Sequence, residues 1–162
     1  MPIPMAVPDL TLPSADYAGM HPSAPQLRLR LVSCRLERAA GATSRVTAEF
    51  AEPITGRELV YRQEGATCVG GDLRLAALAT LDAVAHAIDG ELKLELVGVK
   101  PVRAFDTNLM VVALLSHQDG QRTRVVGTAI AEGDPLEGVA RATLHAVNRL
   151  IAPYLTRLDP VE

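Results

Sequence analysis

Side chains that could act as acids, bases, nucleophiles or metal ligands are few and scattered in this chain of 162 residues. They include four histidines and two cysteines: His21, His86, His117, His145, Cys34 and Cys68. No histidine pairs with a glutamate at the spacing that holds a metal on one helix face. Two cysteines are too few for a disulfide framework or a four-thiolate site. We therefore expect a protein that has no catalytic residues, metal or cofactor and is not an enzyme.

A different chemistry is offered by two short loops, Gly70-Gly71-Asp72 and Gly133-Asp134, each of which is predicted to open a helix. A helix N-terminus carries unpaired N–H groups and a partial positive charge, so it attracts anions. Glycine lets a carboxylate approach the backbone closely. A capping aspartate, however, uses the same N–H donors itself. The pattern therefore leaves two alternatives open, an anion-binding loop or an ordinary turn with its cap.

These loops belong to an internal repeat. Residues 79–88 (ATLDAVAHAI) resemble residues 142–151 (ATLHAVNRLI), and a glycine lies in a strand-like run upstream of each block, at Gly65 and Gly127. A spacing of about 60 residues is too long for most solenoid repeats and suits a duplicated α+β unit.

Alternation of apolar and polar residues predicts three strands in the first half of the chain. They lie around 27–31, 46–50 and 59–68, and a helix follows from about Asp72 to Ile88. The first two strands are separated by a turn at 40–42, and the next turn falls at 53–56.

The second half repeats this order, with strands over 92–102, 109–116 and 122–130. The middle run is nearly all apolar, which is typical of a central strand that is covered on both faces or faces a partner. The following helix is predicted to begin after the cap Asp134, with Glu137 completing a capping box, and to end at Pro153.

The sequence thus predicts an α+β protein of tandem duplicated βββα units, with antiparallel sheets and one helix per unit packed on one face. The expected boundaries are 1–26 for a proline-rich extended arm, 27–90 for the first unit, 91–157 for the second and 158–162 for a tail. The prolines exclude a helix or central strand from the arm. The arm is either a solvated tail or a segment whose apolar side chains dock on a partner or on this protein.

Charge and composition narrow the choice of partners. The net charge is −3 and aromatic residues make up 3% of the chain, which disfavours nucleic acid and anionic lipid surfaces. Four arginines form either a solvated strand face or phosphate contacts: Arg28, Arg30, Arg35 and Arg38. No apolar run reaches the ~18–20 residues of a membrane helix, and the N-terminus lacks a signal-peptide pattern. We expect a cytoplasmic protein with no membrane partner.

The second unit resembles the C-terminal regulatory domain of α-isopropylmalate synthase and citramalate synthase. The matching features are a strand ending in Gly127, a short loop to Asp134, and a helix with Ala142 and the terminal run 146–150 (AVNRL). The first unit fits the same pattern, and the resemblance covers about residues 27–153. The sequence departs from the family because no catalytic barrel accompanies the repeat.

What the resemblance implies is a duplicated βββα fold, a homodimer, and a small amino-acid-like effector bound between subunits near the helix-opening loops. The ligand-binding positions that it implies are Gly70, Gly71, Asp72, Gly133 and Asp134.

Two functions remain open. The first is a non-catalytic dimeric regulatory module that binds an amino-acid-like or acidic effector at these loops. The second is a scaffold or accessory assembly protein that docks a protein partner through exposed sheet edges or the N-terminal arm.

Overall fold

Three strands and a helix follow one another twice along the chain. The computed structural model describes residues 27–155, so the predicted arm at 1–26 and tail at 158–162 lie outside the described residues. The first unit contains β1 (Arg30–Ala39), β2 (Thr43–Ala51), β3 (Glu58–Ala66) and α1 (Gly71–Ala87). The second contains β4 (Lys93–Ala104), β5 (Thr107–Gln118), β6 (Gln121–Ile130) and α2 (Pro135–Leu155).

The six strands form two separate antiparallel sheets, in the orders β1-β2-β3 and β4-β5-β6. The predicted α+β class and the duplicated βββα order are thereby confirmed, with the apolar run 109–116 in the central strand β5. Two-residue turns with positive φ close the hairpins of the second sheet, at Phe105-Asp106 and Asp119-Gly120. Such turns match the right-handed twist of the strands that they join.

One shared core lies on the inner faces of the sheets. Alternate residues of β2 and β5 are buried, among them Phe50, Val112 and Leu114. Each helix packs on its own sheet, and α1 also contacts β4 while α2 contacts β1 and α1. Because each helix touches both units, neither unit buries its apolar surface alone.

The repeat is visible in the packing of the two helices. Thr80 and Thr143 occupy equivalent positions, and both are fully buried. Each hydroxyl donates a 2.8 Å hydrogen bond to the carbonyl four residues earlier, that of Ala76 or Val139. This satisfies a polar group that would otherwise be costly inside the core.

A glycine allows α2 to lie directly on its sheet. A Cβ atom at Gly127 would stand 1.9 Å from the carbonyl oxygen of Ala142 and 2.5 Å from the nitrogen of Ala146. At the equivalent Gly65, the nearest atom to such a Cβ is a methyl group of Leu75 at 3.2 Å. A side chain is therefore excluded more strictly at Gly127, beneath α2, than at Gly65, beneath α1.

Three local predictions were wrong. Strand β1 begins later than predicted, at Arg30, and it continues to Ala39 because the polar residues after a bulge between Leu31 and Ser33 all pair with β2. Helix α2 continues through Pro153 to Leu155, since burial of Ile151 and Leu155 stabilises the last turn. Glu137 makes no capping box: its carboxylate accepts a 3.4 Å hydrogen bond from Arg141 one turn along.

Candidate functional site

A cavity of about 690 Å³ lies where β1 passes the starts of both helices. Three consecutive β1 residues form one wall, and the first residues of α1 and α2 form the others. The lining residues are Cys34, Arg35, Leu36, Gly70, Asp72, Leu73, Asp134, Pro135 and Leu136. Two loops about 60 residues apart in sequence thus open into the same space.

The structure brings together three of the five residues predicted to bind a ligand. Gly70, Asp72 and Asp134 line the cavity, whereas Gly71 and Gly133 do not. Gly71 is packed behind the wall, where an added Cβ would lie 2.6 Å from Cys68 Sγ. Its part in the site is to let the loop before α1 close tightly.

The start of α1 carries no side-chain cap. Gly70 is its N-cap residue, in the left-handed conformation with φ 75°, and has no side chain with which to accept from the first N–H groups. The expectation that Asp72 caps this helix was wrong. Its carboxylate instead accepts two hydrogen bonds from Arg38, at 2.8 Å and 3.2 Å. This pairing leaves the positive end of α1 unoccupied by a side-chain cap at the cavity.

Arg38 is fixed by more than this ion pair. Its guanidinium also donates to Ser44 Oγ at 2.5 Å, and Ser44 Oγ lies 2.9 Å from Thr67 Oγ1. Ser44 is fully buried, so the pair anchors the loop that precedes α1 to β2. The network holds Asp72 at the cavity wall in one orientation.

The start of α2 is built differently. The predicted cap Asp134 is confirmed: its Oδ1 accepts a 2.9 Å hydrogen bond from the Leu136 backbone N–H. An aspartate that satisfies a helix N-terminus stabilises it through both the hydrogen bond and the dipole. One helix start at the cavity is therefore capped by a carboxylate and the other is not.

The cavity is apolar between its charged groups. Leu36, Leu73 and Leu136 contribute side chains from β1, α1 and α2. Cys34 is buried to 3% exposure, and burial, followed by the charges of Asp134 and Glu137, raises the pKa of its thiol to about 12. A thiol that stays protonated at neutral pH is a poor nucleophile and a poor metal ligand.

The histidines of the described residues are held apart from one another. His145 Nδ1 lies 2.9 Å from the carbonyl oxygen of Thr128, and the ring of His86 lies 6.0 Å from that of Tyr61. His117 Nε2 is 3.0 Å from Glu95 Oε2. Within residues 27–155, no group of three or more histidine, cysteine or acidic side chains could hold a metal ion.

Sequence reasoning missed the contribution of β1 to the cavity. Cys34 was not predicted to line a site, and Arg35 was expected to lie on a solvated strand face or to contact phosphate. After residue 31, the alternation of apolar and polar residues is interrupted by the charged residues Arg35, Glu37 and Arg38. A purely apolar–polar criterion therefore ends the strand too early.

A second cavity of about 540 Å³ lies between the start of β1 and the middle of α2. Its walls include Arg28, Arg30, Arg141 and His145. It contains none of the five residues predicted to bind an effector, but Arg28 and Arg30 are two of the four arginines that could be phosphate contacts.

Comparison with protein-family models and with curated proteins gives no match for this chain. Neither helix in the described part of the chain combines the length and apolar character needed to cross a membrane.

Proposed function

We propose that this chain is a non-catalytic regulatory module that binds a small amino-acid-like or acidic effector in the cavity between its two helix starts. The observation that carries the proposal is the meeting of both helix-opening loops with three leucines around one space of about 690 Å³. That volume lies within the range of small-molecule sites, about 300–1,000 Å³.

The lining has the three kinds of group that a free amino acid requires. The uncapped start of α1 attracts a carboxylate. The carboxylate of Asp134, whose Oδ1 caps α2, attracts an ammonium group, whereas Asp72 is already paired with Arg38. The leucine side chains between them accept an apolar side chain.

We assign the effector to a site formed within one chain. Both units of the repeat contribute to the walls, whereas the resemblance to the regulatory domain of α-isopropylmalate synthase implies a site between subunits. The duplicated fold and the position of the helix-opening loops support a relation to that family, and such a relation would make this protein a regulator of an enzyme.

The proposal is tested by a thermal-shift screen of the full chain against amino acids, 2-oxo acids and acidic metabolites. A ligand that binds only the folded state stabilises it, by about 2.7 kcal/mol at a concentration of 100 Kd. We expect dose-dependent stabilisation by at least one compound that carries both a carboxylate and an ammonium group.

Two aspartate variants place the response at the cavity. Asp134→Asn keeps a side-chain oxygen for the cap of α2 and removes the negative charge, so it should weaken binding of the ammonium group. Asp119→Asn makes the same chemical change at a hairpin turn outside the cavity and should bind like the natural protein. No stabilisation by any compound, or equal loss in both variants, would refute an effector site here.

A further inference from the structure

Strand β6 lies at one edge of the second sheet, and among the described residues its one neighbouring strand is β5. Two hydrogen bonds show which backbone groups of this segment point towards β5 and which point away. The N–H of Ala131 donates to the carbonyl of Asn108 on β5 at 2.8 Å. The N–H of Thr128 donates instead to His145 Nδ1 of α2, at 3.1 Å. Odd-numbered residues therefore face β5, and even-numbered residues face the edge.

Alternation along β6 extends this assignment to the rest of the strand. Successive residues of a strand direct their N–H and C=O groups to opposite sides, and β6 pairs with β5 over ten residues without a register shift. Arg122, Arg124 and Val126 therefore present their N–H and C=O groups at the edge. Thr128 is already hydrogen-bonded at one end, and the turn at Asp119-Gly120 closes the other. Three alternate positions are thus open to a further strand.

The prolines near the start of the sequence follow the same alternation. Residues 2–8 read PIPMAVP, so every proline of this segment lies at an even position. The odd positions keep their N–H groups and carry apolar side chains: Ile3, Met5 and Val7. Ile3 and Val7 also precede prolines, which holds their backbone in an extended conformation. Such a segment suits an edge strand that pairs on one side and turns its proline nitrogens to solvent.

We infer that residues 2–8 add to β6 of the same chain as a fourth, antiparallel strand of the second sheet. The three hydrogen-bonded pairs are Ile3 with Val126, Met5 with Arg124, and Val7 with Arg122. Each such pair exchanges two backbone hydrogen bonds. The new outer edge carries prolines, so it cannot pair with a further strand.

The side chains of this strand fit the surfaces on both sides of β6. Paired residues of antiparallel strands share one face, so Ile3 lies beside Val126, whose side chain is 54% exposed. Pro4 and Ala6 point to the opposite face, where a groove of about 370 Å³ runs between β6 and α2. The groove is lined by Val125, Val126, His145, Ala146, Arg149 and Leu150. Its apolar walls receive the two small side chains.

Charge favours this edge and this direction of the strand. Arg122 and Arg124 are exposed on β6, whereas residues 1–26 contain Asp9 and Asp16 and no lysine or arginine. In the antiparallel register Asp9 lies diagonally from Arg122, within reach of a long side chain. The parallel direction would carry Asp9 away from that arginine.

The other three edges of the two sheets are less suited to this segment. Strands β1 and β4 each contain a register shift, and Pro101 removes a donor from β4. Strand β3 is regular, but it carries Glu58 and Glu64 against a single arginine, Arg62. A segment whose charged residues are aspartates is therefore attracted to β6 more than to β3.

The chain is long enough to place this strand within one molecule. The cavity beside Arg28 and the groove beside β6 share His145 as a wall, so the described chain starts close to this edge. Residues 9–26 span up to roughly 60 Å when extended. The ten residues of β6 are about 33 Å long. The edge lies outside the cavity of about 690 Å³, so strand addition is independent of the proposed effector.

Amide hydrogen exchange, measured by NMR on the full chain, tests the pairing. Met5→Pro removes the central donor of the added strand, so the amides of Arg122, Arg124 and Val126 should exchange at least about tenfold faster than in the natural protein. Ala6→Pro is the matched control, because the nitrogen at that position faces solvent. It should leave the exchange of the three amides unchanged.

Disulfide formation tests the register and shows whether one chain supplies both strands. In a Cys68→Ser background, Met5→Cys and Arg124→Cys place two thiols at a hydrogen-bonded pair, whose Cα separation of about 5.5 Å suits a disulfide. We expect a cross-link within one chain after mild oxidation, identified by mass spectrometry. Ala6→Cys with Arg124→Cys is the control and should not cross-link, because the two side chains point to opposite faces.

Rapid exchange of the three β6 amides in the natural protein overturns the inference. Equal effects of Met5→Pro and Ala6→Pro also overturn it, since a paired strand distinguishes these two positions. Slow exchange that Met5→Pro leaves unchanged would mean that something else covers the edge. A disulfide that forms only between chains would overturn the assignment to the same chain, because the segment would then come from a second copy.

Discussion

At the scale of single residues, the two cysteines occupy opposite environments. Cys34 is buried at the helix-start cavity, and Cys68 is exposed in the loop before α1. The thiolate is the reactive form, and burial raises the pKa of Cys34 from 9.0 to about 12.

We predict that an alkylating reagent at pH 8 modifies Cys68 rapidly and Cys34 at least about a hundredfold more slowly. Mass spectrometry of tryptic peptides would follow each site separately. In 6 M guanidinium chloride both sites should react at similar rates, which shows that the fold causes the difference. Equal rates in the folded protein would mean that Cys34 is accessible and its thiol unshifted.

Gly127 is a second position where one residue controls the packing. Gly127→Ala places a methyl group against the backbone of α2 and should lower the free energy of unfolding by about 3 kcal/mol. Gly98→Ala is the matched control, since nothing lies within 4 Å of a Cβ at that strand position. Urea denaturation followed by circular dichroism measures both. Comparable stability of the two variants would contradict the close approach of α2 to β6.

At the scale of secondary-structure elements, the helix starts determine local stability. Asp134→Ala removes the carboxylate that accepts from the Leu136 N–H and should cost about 1 kcal/mol. Asp134→Asn keeps an acceptor oxygen and should cost clearly less. The free energies of unfolding of the two variants, measured without ligand, test this prediction. If the alanine variant were as stable as the asparagine variant, the cap would contribute little.

The elements also show which features of the fold could be predicted from sequence. Alternation over Val46–Phe50 predicted β2, because the side-chain period of a strand is fixed by the backbone. The N-cap Asp134 could be identified because a cap depends on neighbours within three residues. The pairing of Asp72 with Arg38 spans 34 residues and depends on where the fold places the end of β1 relative to the start of α1. Such a partner is set by tertiary structure, so the sequence suggested a local cap instead.

The candidate site was predictable in part for the same reason. The helix-opening glycines and aspartates follow a local pattern, and three of the five lie at the cavity. The wall from β1 could not be anticipated, because nothing in residues 34–36 indicates which loops they will face. The apolar run of β5 suggested a central strand correctly. Only the register shows that its outward side is apolar while that of β2 is charged.

At the scale of the whole molecule, the two units share one core. Since α1 contacts β4 and α2 contacts β1, loss of either unit exposes apolar surface of the other. We predict a single cooperative unfolding transition. Val46→Ala in the first unit and Val147→Ala in the second each remove fully buried methyl groups, and each should lower stability by about 2 kcal/mol.

Hydrogen exchange measured by mass spectrometry tests this sharing. In either variant, the slowly exchanging amides of both β2 and β5 should exchange faster than in the natural protein. If Val46→Ala accelerated exchange in the first sheet alone, the units would be separate folding domains.

Of the two helix starts at the cavity, one has a side-chain cap and the other has none, and this difference affects any molecule that binds between them. Two identical helix starts would let a bound molecule lie in either of two equivalent directions. Here the start of α1 at Gly70 has no side-chain cap, and the start of α2 presents the carboxylate of Asp134. We therefore expect the proposed effector to bind in a single direction, with its carboxylate towards the start of α1 and its ammonium group towards the start of α2. The difference between the two helix starts gives the space between them one uncapped end and one anionic end.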